Sequence, residues 1–438
     1  MEINFARYDK ALDATGLTRD VGKVTQVIGF LILGYIPGAC VGGICEIFPM
    51  SGAASFMAEV VGFKDRQVLL MPLGEMRGVG LGSKIVLVKS QAGIKVGDML
   101  LGRVINAMGI PIDNKGDLSA YEESSIYASA VNPLERPPIH EPLSLGVRAI
   151  DGMITIGRGQ RVGVMAGSGV GKSVLMGMIA RSTHADVNVI AMVGERGREV
   201  REFVEQTLGP EGLKKSVLVV ATSDQSPLLR MRAAFIASSI AEYFCGRGKH
   251  VLLMMDSVTR FAMAQREIGL NVGEPPASKG YTPSVFSMLP KLLERAGTYD
   301  GQGTITGLYI VLVEGDDMDD PIGDAVRSIV DGHIVLDRKL AQKGHFPAID
   351  VLQSTSRVMR NVVSEHHVLH SRIIREQLAV YSEAEDLINI GAYKAGSNPR
   401  IDQAIRLQPQ IEQFLRQDID EATDFATTEA LMANVCGG

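Results

Sequence analysis

The run Ala166-Gly167-Ser168-Gly169-Val170-Gly171-Lys172-Ser173 constrains the fold more than any other stretch of this chain. It lies between two apolar segments, Arg161 to Met165 and Val174 to Ala180. Strand, glycine loop and helix in that order predict a loop that wraps a phosphate. Glycines let successive N–H groups turn inward, and the helix that follows presents its positive end. Gly167, Ser168, Gly169, Val170, Gly171, Lys172, Ser173 and Val174 are therefore the nucleotide-binding candidates. Lys172 has the length to reach the β- and γ-phosphates, and the Ser173 hydroxyl is a ligand for Mg²⁺. Ala166 stands where the pattern G-x-x-x-x-G-K-[ST] has its first glycine. At the end of a strand that exchange costs little, because the later glycines shape the loop.

A chain of 438 residues has room for two or three domains, each with a core of its own. Hydrophobic residues make up 46% and charged residues 21%, which predicts a chain folded throughout. The formal net charge of −6 argues against nucleic acid as a partner, since phosphate backbones need a basic surface. Cys40, Cys45, Cys245 and Cys436 are too scattered for a disulfide framework or a zinc site, and a reducing cytoplasm fits them. Val27 to Cys45 carries no charge, but Pro37-Gly38 interrupts it, so two strands joined by a turn at Tyr35 to Ala39 explain it better than a membrane span. Met1 to Gly16 lacks the basic start and cleavage site of a secretory signal.

Pattern divides the chain into an N-terminal segment (1–20), a β-barrel domain (21–95), an α/β domain (96–369) and a helical C-terminal domain (370–438). Lys23 to Leu33, Gly43 to Phe48, Ser55 to Phe63, Gln67 to Pro72 and Lys84 to Val88 read as the short strands of a small barrel. Met1 to Ala14 has a weak helical stripe of Ile3, Phe5, Tyr8 and Leu12. In the α/β region, strands are expected at Arg161–Met165, Val187–Val193, Ser216–Ala221, His250–Met255, Ile305–Val313 and His333–Leu336. Helical spacing between them predicts a mostly parallel sheet covered on both faces, with the ligand at the C-terminal edge of the strands.

Val251-Leu252-Leu253-Met254-Met255-Asp256 is an apolar strand closed by a carboxylate, placed to hold Mg²⁺ beside a phosphate loop. Glu195, closing the strand after the loop's helix, can accept a hydrogen bond from a water in line with the γ-phosphate. The blander reading pairs Glu195 with Arg196 or Arg198 on an exposed loop. Arg357 and Arg260 are both candidates for the positive charge that stabilises phosphoryl transfer. Phe346, in Gly344-His345-Phe346-Pro347-Ala348, can stack on adenine or simply pack in a core.

Together, these motifs resemble a known family. Gly159-Gln160-Arg161, Ala166 to Ser173, Gly194 to Val200, His250 to Arg260, Glu274-Pro275-Pro276-Ala277, Leu312 to Met318 and Asp331 to Leu336 are similar to the export ATPases of type III secretion. Within these, the chain resembles the flagellum-specific ATP-synthase-like group, itself related to the catalytic subunit of rotary ATP synthases. The resemblance implies a RecA-like P-loop ATPase core between an N-terminal β-barrel and a C-terminal helical domain, assembled as a homohexameric ring. It implies ATP and Mg²⁺, with Lys172, Glu195, Arg196, Asp256 and Arg357 as catalytic residues, Ser173 and Asp256 on the metal, and Phe346 against adenine. Arg357 would reach into the neighbouring subunit's site.

Hydrolysis would drive unfolding and export of proteins through a flagellar or type III secretion apparatus. The implied partners are a negative regulator or stator protein, a central stalk protein facing Gly391 to Pro399, an export gate and chaperone–substrate complexes. The implied location is cytoplasmic, peripheral at the inner membrane. Met1 to Gly16 is shorter than the extension by which some members bind their regulator.

Three rivals share the fold. A noncatalytic ring subunit would lack the carboxylate at Glu195. An RNA-translocating terminator would need basic and aromatic residues in its barrel, and residues 20–90 offer few basic groups beside Phe30, Tyr35, Phe48, Phe56 and Phe63. The nearest rival is the catalytic subunit of a rotary proton-translocating ATP synthase.

Overall fold

The computed structural model describes residues 20–118, 121–313 and 320–437. The stripe over Met1 to Ala14 and the segment Glu314 to Met318 lie outside the described residues.

Six antiparallel strands close a barrel: β1 (Val21–Ile28), β2 (Leu31–Tyr35), β3 (Ile44–Phe48), β4 (Phe56–Lys64), β5 (Gln67–Pro72) and β6 (Lys84–Lys89), in the order β1-β2-β5-β4-β3-β6. Val24, Ile32, Ile47, Val60, Leu70 and Ile85 fill its interior. Closure pairs every strand on both sides and leaves no open edge. Lys23 to Leu33 is not the single strand its apolar run predicts. The chain folds back at Gly29-Phe30, where Gly29 has φ 56° and Ile28 pairs with Leu31 across a two-residue turn. The strands on either side of Tyr35–Ala39 do not pair with each other either. β2 lies beside β5, and β3 lies between β4 and β6.

The remaining strands are β7 (Gly93–Val96), β8 (Arg103–Asn106), β9 (Glu122–Ser125), β10 (Arg161–Ala166), β11 (Val187–Glu195), β12 (Ser216–Thr222), β13 (His250–Asp256), β14 (Gly297–Thr298), β15 (Thr304–Leu312), β16 (Gly332–Leu336) and β17 (Ile349–Ser356). All but β7 and β9 form one sheet, ordered β17-β16-β10-β15-β13-β11-β12-β8 with β14 beside β15. Its pairs are parallel except β16–β17 and β14–β15. β11 is buried along its whole length, as a strand covered on both faces must be. Helices Pro227–Gly246 and Val258–Asn271 cover one face. Lys172–Ser182 covers the other, backed by Ile374, Ile411, Phe414 and Met432 of the C-terminal helices.

Buried polar contacts fasten the three parts. Glu59 of β4 and Arg232 of the helix Pro227–Gly246 form an ion pair with both residues under 5% exposed, and Tyr127 Oη donates to Glu59 at 2.6 Å. Burial raises the Glu59 pKa, and Arg232 opposes that rise. On the other side, Arg148 is buried and its Nε donates to the Phe414 carbonyl at 3.0 Å, with Glu421 and Thr423 on the same guanidinium.

Removing one member of a buried pair strands the other. Arg232→Ala is therefore expected to lower unfolding stability by about 3–5 kcal/mol, and a double Glu59→Met, Arg232→Met variant by clearly less. Denaturant titration of the three proteins measures both; equal losses would show that the pair is not what anchors the barrel.

Candidate nucleotide site

β10 ends at Ala166, paired with Leu312 of β15 and Leu336 of β16, and the chain then leaves the sheet as the glycine loop. Gly169 and Gly171 take φ of 77° and 91°, a left-handed conformation that favours glycine and turns successive amides the same way. Gly171 caps the helix Lys172–Ser182 without any side-chain hydrogen bond, so the amides of the first turn remain available to an anion.

The parallel register brings the acids to this loop. Met192 of β11 sits opposite Asp256, the last residue of β13. After a register shift between Val193 and Glu195, with Gly194 at φ 75°, Glu195 closes β11 opposite Thr222 of β12, three residues beyond the pairing with Asp256. A Cβ on Gly194 would lie a tight 3.0 Å from the Arg260 side chain, at a positive φ that itself favours glycine. Lys172 Nζ lies 2.8 Å from Asp256 Oδ1 and 3.3 Å from Glu195 Oε1. Glu195 is thus buried against the lysine and is not the surface partner of a neighbouring arginine. Arg196 instead faces Glu199, and Arg198 faces Glu202, each at 3.9 Å.

Burial sets the electrostatics. It pushes Glu195 up to about 7, helped by a hydrogen bond to Glu199 and by the charge of Asp256, with Lys172 and Arg260 opposing. The same hydrogen bond holds Glu199 below the usual carboxylate range. Asp256 is raised by burial, against the pull of Lys172. Burial disfavours the Lys172 ammonium, but the two carboxylates outweigh it and its pKa rises.

A cleft of about 660 Å³ opens over Gly167 to Ser173 and is bordered by Glu195, Arg196, Glu199 and Arg260. Next to it lies a mostly apolar cavity of about 320 Å³, bordered by Val170, Gly171, Val174, Phe346 and Ile419. The Phe346 ring is half exposed and lies 3.7 Å from where a Gly171 Cβ would be. Arg357 is not in this site. β17 runs antiparallel to β16 and pairs Ser356 with Gly332, at the sheet edge opposite the glycine loop. The Arg357 amide donates to Asp331 O at 2.9 Å. The five-residue length of β16 puts it roughly 15 Å from the loop's edge. Sequence reasoning missed Glu199, though it lies in the same acidic–basic run, and missed Gln417 and Ile419, which no local pattern links to a phosphate loop.

Ser173 and Asp256 offer hydroxyl and carboxylate oxygens, the hard donors that suit Mg²⁺. Among the described residues no group of three or more His, Cys, Asp or Glu side chains could hold a metal ion by itself. Among the described residues, too, no helix is long and apolar enough to cross a membrane.

Fold and loop define the class: a P-loop nucleoside triphosphatase with a parallel RecA-like sheet. Residues 146–356 match the ATP synthase alpha/beta family, nucleotide-binding domain, and residues 363–434 match the T3SS EscN ATPase C-terminal domain. The flagellum-specific ATP synthase of Bacillus subtilis (strain 168) is 52% identical over 97% of this chain and 97% of its own length. The type 3 secretion system ATPase of Sinorhizobium fredii is 46% identical over 94% and 92%. The assembled ATPase EscN, in complex with its central stalk EscO from the enteropathogenic E. coli type III secretion system, superposes with a TM-score of 0.87. It is 45% identical, covering 94% of this chain and 99% of that one. The chain belongs to the family of flagellum-specific ATP synthases and type III secretion ATPases, and it is an ATPase.

The Glu195 shift has a consequence for stability. A carboxyl raised from 4.5 to about 7 on folding favours the fold while protonated, and that contribution is lost as pH rises through about 7. Glu195→Gln is neutral throughout. It should melt close to the parent protein at about pH 5 and above it at about pH 8. Calorimetry at both values measures this, and a gap independent of pH would mean that Glu195 is not held protonated.

Proposed function

We propose that this chain works as one subunit of a homohexameric ring whose ATP hydrolysis energises unfolding and export of proteins through a flagellar or type III secretion apparatus. The observation that carries the reading is the separation of Arg357 from its own chain's glycine loop. Lys172, Glu195 and Asp256 converge at one edge of the sheet, and Arg357 projects from the other. In a ring, the arginine of one subunit meets the phosphates bound by the next.

In this mechanism the loop amides and Lys172 hold the β- and γ-phosphates. Arrival of the triphosphate draws the ammonium away from Glu195 and Asp256. Ser173 and Asp256 would hold Mg²⁺, which supplies positive charge to the phosphate oxygens. Glu195 orients the water and takes its proton as the new P–O bond forms and the bridging bond to ADP breaks. A carboxyl poised near 7 is matched to that exchange at neutral pH. Arg196, exposed at the cleft rim, adds positive charge at the entrance. Phe346 stacks on the adenine. Arg357 from the neighbour stabilises the transition state, a contribution of about 10³–10⁵ in rate for an arginine finger.

The exposed loop between helices Glu365–Asn389 and Pro399–Leu415 faces a central stalk, as the assembly of EscN with EscO suggests by likeness. The negative regulator or stator, the export gate and the chaperone–substrate complexes complete the proposed partners, with the ring peripheral at the cytoplasmic side of the inner membrane. The match of residues 146–356 to the ATP synthase family keeps a rotary synthase subunit as the second reading, and the separate match of 363–434 favours export.

Lys172→Ala should lose nucleotide binding, whereas Glu195→Gln should bind ATP and turn over at least 100-fold more slowly. Arg357→Ala should also be inactive, yet mixing it with Glu195→Gln subunits should restore part of the activity. Such rings contain junctions with an intact glutamate on one side and an intact arginine on the other. Mixed assemblies that stay inactive would count against a shared site.

A further inference from the structure

The cavity beside Phe346 is built by two domains. Val170, Gly171 and Val174 come from the glycine loop and its helix, while Gln417 and Ile419 follow the C-terminal helix Pro399–Leu415. Gln417 is 5% exposed, and every hydrogen-bonding group of its side chain is committed to protein. Its Oε1 accepts from the Arg148 amide at 2.9 Å, and its Nε2 donates to Gly146 O at 2.7 Å and Glu421 O at 2.8 Å. Its own amide donates to the Phe346 carbonyl at 3.0 Å. Two residues on, the Ile419 carbonyl accepts from Arg181 Nη2 at 2.7 Å, and Arg181 stands in the last turn of the helix that begins with Lys172.

Resting on the nucleotide reading above, we propose that Gln417 is a positioning residue for the nucleoside half of the substrate. It holds Phe346 and Ile419 at a fixed spacing across the cavity and leaves the triphosphate to the loop. Because its amide is spent on backbone, it cannot also recognise a base edge. Its influence is on the width of the slot, so it strengthens binding of adenine and guanine nucleotides alike. A slot of apolar walls discriminates by tens to hundreds, while a site that hydrogen-bonds the base discriminates by about 10⁴–10⁵. Gln417 also joins the helical domain to the base, because the residue that fixes the Phe346 backbone belongs to the C-terminal segment.

The test compares the full chain with Gln417→Ala and with Gln417→Glu, which keeps the acceptor and lacks the donors to Gly146 and Glu421. KM and kcat are measured for ATP and GTP, and inorganic tripolyphosphate is used as a competitive inhibitor that has no base. For Gln417→Ala, KM for both nucleotides should rise about 10-fold, with kcat within twofold and the tripolyphosphate inhibition constant unchanged. Gln417→Glu should fall between the two proteins. Unaltered KM, or equal weakening of tripolyphosphate and ATP, would overturn the proposal, the second because it marks a general loss of structure. A rise confined to one base would overturn it as well, by making Gln417 a reader of base edges. Parent protein that hydrolyses neither nucleotide would instead bring down the underlying assignment.

Discussion

The contact on which the site depends is the Lys172 ammonium held between Asp256 and Glu195. Two carboxylates buried this deeply would be costly without a cation, and the lysine would be costly without them. The parallel register of β10, β15, β13 and β11 brings these three groups to one edge, although they are far apart in the chain. In this structure the lysine offsets the acids; on the proposed mechanism, a triphosphate that drew the lysine away would leave them to a metal ion and a water. One side chain would thus serve as internal counter-ion in one state and substrate ligand in the next.

The sequence revealed much of this because its strongest signals are local. The glycine loop, the apolar run ending at Asp256 and the buried strands β10 to β13 each sit in a contiguous stretch whose periodicity matches its environment. β17 reads Ile-Asp-Val-Leu-Gln-Ser-Thr-Ser, too polar to announce itself, because it lies on a sheet edge. The turn at Gly29-Phe30 was hidden inside an apolar run, since both residues look like strand interior until pairing closes the barrel. Glu195 was ambiguous between water ligand and surface ion pair. Its burial beside Lys172 follows from strand register, which no single segment encodes. Gln417 gave no signal because all but one of its contacts, those with Gly146, Arg148 and Phe346, are remote in sequence.

Buried polar contacts tie the three domains at two places, Glu59–Arg232 at the barrel and Arg148 at the helical cap. Apolar packing sets the strength of such boundaries. Paired charges and committed amides set their geometry, because each leaves an unsatisfied group if its partner shifts. On the proposed reading, a base seated against Phe346 would touch both the glycine-loop helix and the segment after the C-terminal helix Pro399–Leu415.

The antiparallel turn into β17 exports Arg357 to the far rim of the sheet. If catalysis needs that arginine from a neighbour, each polypeptide participates in two reaction centres at once, donating to one and hosting another. A few faulty copies in a population then do damage out of proportion to their number, so a mutant gene carried beside a healthy one would be dominant.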